Sequence, residues 1–223
     1  LSIRPVAFTL KKWYNASVNT TKRWYIMDYE KKIEKYLEQS GGIITTSYCK
    51  EKKIPTVYLS RLLKDGKLLR VKKGIYITKD GDYDEYYFFQ HQYKKAIFSY
   101  ETALYLLGQT DKIPWNIDVT VYNGYKFNEK PNGVNIHYVK KSIYDLGVIQ
   151  KSTMFGNKVN IYSYERILCD FIAHKEEMDI EVYVKLIRSY SSYKERDIHS
   201  LYDIAMKMGI ENKVREVMEV AYE

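Results

Sequence analysis

Cysteine is scarce in this 223-residue chain: Cys49 and Cys169 are the only two, far apart and outside any CxxC motif or Cys/His cluster. That arrangement excludes a disulfide-built scaffold and points to reduced thiols, structural in role, in a cytoplasmic protein. Histidine is scarce as well. His91, His137, His174 and His199 stand at no i, i+3 or i+4 spacing from one another, so no helix-borne metal pair is available, and neither a metal nor another cofactor is expected. No run approaches the roughly eighteen apolar residues of a membrane-spanning helix, and no phosphate loop or nucleophile elbow is present.

Aromatic side chains and positive charge, in contrast, are abundant. Hydrophobic residues make up 45% of the chain and aromatics 15%, with 24 tyrosines among them; such a composition buries a core and is not that of a disordered chain. The net charge of +8 is unevenly spread. Residues 1–27 carry five Lys/Arg and no acid, residues 28–79 thirteen bases against six acids, and residues 80–223 eighteen bases against twenty-two acids. A basic head on a mildly acidic body suits a polyanion-binding module joined to a second domain. Residues 1–26 have neither the apolar core of a signal peptide nor clear helical periodicity, and "MDYEKKIEKYL" begins at Met27 like the start of a gene; 1–26 is read as a leader or upstream extension.

From residue 28 the pattern is legible. Tyr29, Ile33, Tyr36 and Leu37 form one apolar helical stripe that stops at Gly41-Gly42. The threonine pair after Ile43-Ile44 caps a short second helix holding Tyr48 and Cys49, and Pro55 opens a third, ended by Gly66. "LLRVKKGIYIT" then reads as a hairpin about Lys73-Gly74, with Leu69, Val71, Ile75 and Ile77 on one face and Arg70, Lys72 and Tyr76 on the other. Three short helices and a hairpin over 28–79 predict a winged helix-turn-helix, whose third helix enters the major groove of double-stranded DNA while the wing rests on the backbone. With Leu59, Leu62 and Leu63 inward at 100° per residue, Val57, Arg61 and Lys64 point outward, flanked by Tyr58 and Ser60. Arg61 suits a guanine edge and Val57 a thymine methyl, whereas Lys64, Lys72 and Lys73 suit phosphates.

The shift to acidic composition near residue 80 marks a boundary, and 80–223 reads as an α+β domain. "FFQHQYKKAIF" and the Ser99-capped "SYETALYLLG" are expected helices. Strands follow at 117–122, 134–139, 146–155 and 157–162, with turns at Asn123-Gly124, Asn132-Gly133 and Gly156-Asn157, predicting a small, mostly antiparallel sheet. The Ser163-capped "SYERILCDFIAHK" and segments near 179–190, 195–208 and 211–222 complete a helical last third. Asp118 in "NIDVTV" is the nearest approach to a catalytic carboxylate of the nucleotidyltransferase kind. The second acid that such a strand needs two residues on is Thr120, and no Gly-Ser turn precedes it, so the chain is not read as an enzyme. Glu165, Arg166 and Asp170 are placed for i, i+4 pairing on one helix.

Taken in order, "IPTVYLSRLLKDGKLLRVKKGIYI", "SYETALYLLG" and "YSYERILCDFI" resemble the AbiE antitoxin family, the antitoxin half of a bacterial abortive-infection toxin–antitoxin pair, from about residue 28 to the C-terminus. The resemblance implies an N-terminal winged helix that represses its own operon and a C-terminal domain that counters a nucleotidyltransferase toxin without obligate contact between the two proteins. It assigns operator contacts to Val57, Tyr58, Ser60, Arg61, Lys64, Lys72 and Lys73, and ties Tyr100, Glu101, Glu165, Arg166 and Asp170 to the antitoxin domain. Because one wing module reads few bases, two copies on an inverted repeat are expected. A nucleic-acid-acting enzyme and a winged-helix adaptor for proteins are the alternative classes; the missing carboxylate pair weighs against the first, and the basic helix face against the second.

Overall fold

The computed structural model describes residues 28–129 and 131–222, in two compact units that divide between Tyr83 and Asp84. The expected leader over 1–26 lies outside the described residues. The first helix, α1, is described over 28–39 and buries Ile33 completely, with Tyr29, Tyr36 and Leu37 half-buried around it, as the stripe predicts. Strand β1 (Ile43–Thr45) follows, and the Thr45 side chain accepts from the Tyr48 N–H to start α2 (Thr46–Glu51). Pro55 lies in the turn before α3 (Val57–Lys64), its carbonyl accepting from the Tyr58 N–H; Gly66, at φ +69°, follows the helix end. Strands β2 (Leu69–Lys72) and β3 (Ile75–Ile77) form the hairpin, and the three strands pair antiparallel in the order β1-β3-β2. At the hairpin tip Gly74 holds φ +82°, and a Cβ there would stand 2.7 Å from the Thr46 hydroxyl, so both backbone and space require glycine. Around Ile33, Ile44, Cys49, Ile54, Leu59 and Leu62 the head closes a small core of its own, in which Tyr36 stacks on Tyr48 with centroids 3.5 Å apart.

The second unit is α+β. Asp84, almost wholly buried, accepts from the Tyr87 N–H to begin α4 (Glu85–Gln92) and from Thr153 and Asn157 in the turn between two later strands. After α4 come β4 (Ile97–Phe98), α5 (Tyr100–Leu107), β5 (Ile117–Tyr122), β6 (Val134–Val139), α6 (Lys141–Tyr144), β7 (Val148–Ser152), β8 (Lys158–Tyr162), α7 (Tyr164–Ala173), α8 (Ile180–Ser192), α9 (Ile198–Met208) and α10 (Glu211–Tyr222). Two sequence expectations need correction. The segment "FFQHQYKKAIF" is a helix only to Gln92; its end, Ile97–Phe98, is a strand at the centre of the sheet. That sheet, ordered β6-β5-β4-β8-β7, is mixed and not mostly antiparallel: β5–β6 and β4–β8 are parallel, β4–β5 and β7–β8 antiparallel. The turns expected at Asn123-Gly124 and Asn132-Gly133 are present, and they flank a crossing between β5 and β6 that returns the chain in its original direction, as parallel pairing demands.

At its centre the sheet is narrow. β4 contributes two residues to β5 and one to β8, and the Gln90 side chain extends that join: its amide donates to the Ala96 and Asn160 carbonyls (2.9 and 2.8 Å) and accepts from the Asn160 N–H (2.6 Å). Helix α7 supplies the buried face. Every side chain from Tyr164 to Ile172 is buried, and the Ser163 hydroxyl caps its start. Gly147, at φ +71°, approaches α7 so closely that a Cβ would sit 2.6 Å from that of Arg166. Burial pushes the thiols of Cys49 and Cys169 up to about 11 and about 12, so both are unreactive core groups at neutral pH. Among the described residues no helix is long and apolar enough to cross a membrane.

Candidate nucleic-acid interface

In the head, the outward side of α3 carries Val57 (51% exposed), Ser60, Arg61 and Lys64. Tyr58, expected beside them, is 7% exposed and faces inward with Leu59 and Leu62, whereas Leu63, expected inside, is 36% exposed. At 100° per residue this turns the buried arc by roughly 50° from one centred on the three leucines. The cause lies on α1: half-buried Tyr29 packs against the buried Tyr58 ring, centroids 5.4 Å apart, and that aromatic contact outweighs one leucine. The turn places the Arg61 guanidinium 5.2 Å from the Tyr58 ring centroid. Tyr58 therefore lies beneath Arg61 and limits where it points, by a cation–π contact.

The hairpin departs from strict alternation. A register shift between Arg70 and Lys72 leaves Arg70 opposite Tyr76 but Lys72 opposite Ile75, so Lys72 shares the face of Ile75 and not that of Arg70. Leu69, expected inside, is half exposed at the start of the edge strand β2; Leu68 is buried in its stead. Lys73 stands exposed at the tip. Among the described residues no carboxylate pairs with Arg61, Lys64, Arg70, Lys72 or Lys73, whereas Lys32, Lys52 and Lys67 are matched to Asp28, Glu51 and Glu34. Residues 50–79 hold ten Lys/Arg against two acids. Five unneutralised cations on so small a module are free to meet phosphate or base edges. Arg70, outward already by alternation, was missing from the sequence-derived contacts; it is exposed, and among the described residues no carboxylate pairs with it.

In the second unit the five motif residues separate into different roles. Arg166, with no exposed surface, donates through Nε to both Asp170 oxygens (3.1 and 3.2 Å) and through Nη1 to the Leu146 carbonyl (2.9 Å), and it lies 4.2 Å from the Tyr162 ring centroid. Burial pushes the Asp170 carboxyl above the usual carboxylate range, against the pull of Arg166. Tyr100 begins α5 with φ +46°, a strained value for tyrosine, between the rings of His137 (4.1 Å) and Phe171 (5.4 Å). Its hydroxyl is raised well above the usual range by burial and then by Asp170. Glu165 and Glu101 point elsewhere: Glu165 accepts from the Asp197 N–H at the start of α9 (3.2 Å), and Glu101 faces Lys112 (3.6 Å). Sequence reasoning missed the neighbours of Tyr100. The carboxylate of Asp118 accepts from Asn135 (3.1 Å) and contacts His137 Nε2 (3.0 Å), across parallel strands whose register the sequence does not display. Asp118 is thus engaged by polar neighbours, and among the described residues no group of three His, Cys, Asp or Glu is placed to hold a metal.

The head thus joins three helices, an antiparallel hairpin and a helix face whose cations meet no carboxylate among the described residues. Residues 31–78 match the family described as "Transcriptional regulator, AbiEi antitoxin", which shows the AbiE antitoxin resemblance over that head. No curated protein matches the chain. Among solved structures the chain is similar to the RV2827C protein from Mycobacterium tuberculosis, at 11% identity and a TM-score of 0.45, covering 84% of this chain and 79% of that one.

Proposed function

We propose that residues 28–79 form a winged helix-turn-helix that binds operator DNA, and that the chain is the antitoxin and autorepressor of a bacterial abortive-infection operon, countering a nucleotidyltransferase toxin through its C-terminal unit. The observation that carries the DNA reading is the set of free cations on α3 and the wing, within the segment that matches a regulator family. Arg61 is the base reader, bidentate to guanine, with Val57 near a thymine methyl. Lys64, Lys72, Lys73 and Arg70 neutralise phosphates, and Ser60 adds a neutral contact. Tyr58 acts through Arg61. Two copies occupy an inverted repeat with half-sites about 10 base pairs apart, or a multiple of that.

Arg61 tests this reading directly. Arg61→Ala should weaken operator binding by about 1–3 kcal/mol and relax the preference at one base pair, while Lys73→Ala should weaken every sequence alike and lower the salt slope by about 1. Anisotropy titrations at several salt concentrations separate the two, and an Arg61→Ala chain with unchanged affinity and preference would remove α3 from the groove. Tyr58 gives a finer check. Tyr58→Leu should lose part of the discrimination at the base that Arg61 reads, about 0.5–1 kcal/mol, and Tyr58→Phe should keep it, because the ring and not the hydroxyl supports the guanidinium. Equal loss in both variants would mean that Tyr58 serves the fold alone.

A further inference from the structure

Strand β6 forms one edge of the second unit's sheet, and its chemistry differs from that of the other edges. Sheet edges are ordinarily blunted by charge, proline, a bulge or extreme shortness, since their unpaired N–H and C=O groups attract other strands. The head's edges follow that rule: β1 has three residues, and β2 carries Arg70, Lys72 and a bulge. At the opposite edge of the larger sheet, β7 carries Lys151. β6 has none of these features. Its sequence, VNIHYV, contains no Lys, Arg, Asp, Glu or Pro, and its six residues pair with β5 in unbroken register.

The direction of its backbone groups follows from the bonds at its two ends. The Gly133 carbonyl accepts from Ile117 and the Val139 carbonyl from Asn123, so residues 133, 135, 137 and 139 face β5. The alternation of a strand then leaves the N–H and C=O of Val134, Ile136 and Tyr138 on the open side. No described strand pairs with that side. Five consecutive residues, 134 to 138, line one open groove together with Tyr125, Lys126 and Phe127. Consecutive residues of a strand point to opposite faces, so a groove that touches all five runs along the edge itself.

We propose that this edge takes the β6 strand of a second copy of the chain, antiparallel, about a two-fold axis through Ile136. The register selects the occupant. Centred on Ile136, it sets Val134 opposite Tyr138 of the other copy, a β-branched–aromatic pair, on one face, and Asn135 opposite His137 on the other, where both are already held by Asp118. All three outward residues meet outward residues, giving about six inter-strand hydrogen bonds, two for each opposed pair. β6 itself sets no like charges against its own image, and Lys126 is the one Lys, Arg, Asp or Glu among the residues that line the groove. Tyr138, 52% exposed, gains the most cover. The proposal needs no DNA and is independent of the operator reading.

The test is sedimentation velocity of the intact chain, without DNA, from about 5 to 500 μM, with hydrogen exchange at both ends of that range. A contact smaller than a standard interface should dimerise with a dissociation constant on the order of 10–100 μM. Tyr138→Lys and Ile136→Pro, which charge the edge and delete an outward N–H, should each weaken it at least about tenfold. Amides of Val134, Ile136 and Tyr138 should gain protection as concentration rises, while those of Asn135 and His137 stay constant. If Ile136→Pro melts at a lower temperature, Tyr138→Lys decides alone. A chain that stays monomeric throughout, a dimer indifferent to Tyr138→Lys, or protection of these amides only when the toxin is added would each overturn the proposal, the last in favour of a foreign strand.

Discussion

An Asp170→Ala chain is expected to lose about 3–5 kcal/mol of stability in its second unit, because the substitution strands the Arg166 guanidinium in a site with no access to water. Arg166 has one amino group, Nη2, that is buried without a hydrogen-bond partner even with Asp170 in place. Without Asp170 only Nη1 keeps partners, the Ile143 and Leu146 carbonyls, which cannot neutralise a charge. Adding Arg166→Met should restore part of the loss by removing the uncompensated cation, while the two carbonyls keep the rescue incomplete. Chemical denaturation followed by far-ultraviolet circular dichroism measures both. A single variant within about 1 kcal/mol of the wild type would show that water reaches Arg166, contrary to its complete burial. Under the proposed function Arg166 and Asp170 act only by holding α7 in place, so antitoxin activity is expected to fall in step with stability.

Separating the two units should have an all-or-none effect on repression. Asp84 decides where to cut, since it caps α4 and binds Thr153 and Asn157; a break between Tyr83 and Asp84 leaves those bonds whole. The fragment 84–223 should fold, lose all specific operator binding and keep some neutralisation. The fragment 1–83 should bind operator and rescue nothing, although a core of so few side chains leaves it marginal. Each fragment is co-expressed with the toxin and growth is scored, after circular dichroism establishes that it is folded. Rescue by a folded head alone would show that neutralisation does not need the second unit. Failure of a folded 84–223 where intact Arg61→Ala succeeds would show that it does not reside there either.

What the sequence displayed was local chemistry. Thr45 as a cap, Gly74 as a turn, Ser163 before α7 and the stripe on α1 each depend on a few neighbouring residues, and each is found where the pattern places it. Features set by distant partners were hidden. β1 and β4, three and two residues long, are strands only because β3, β5 and β8 lie beside them. The inward face of α3 was read from leucines and decided by Tyr29, and Lys72 changed faces through a bulge that no residue type announces. In the second unit, the i, i+4 spacing of Arg166 and Asp170 was visible, while the meeting of Tyr100, His137 and Asp118 depends on how α5 sits against two parallel strands.

The Gln90 bridge bears on the order in which the second unit assembles. β7 and β8 are neighbours in sequence and can zip as a hairpin, and β5 and β6 are separated by one crossing; each half of the sheet can form from contacts close along the chain. Joining the halves requires residues 84–98 to find residues 153–161, which closes a loop of more than sixty residues for a ladder of one residue pair, the two bonds of Gln90 to Asn160 and those of Asp84 to Thr153 and Asn157. That closure is the expected slow step, with Gln90 acting as the clasp. Gln90→Leu should slow refolding in proportion to how far the clasp has formed at the barrier, and speed unfolding by the remainder.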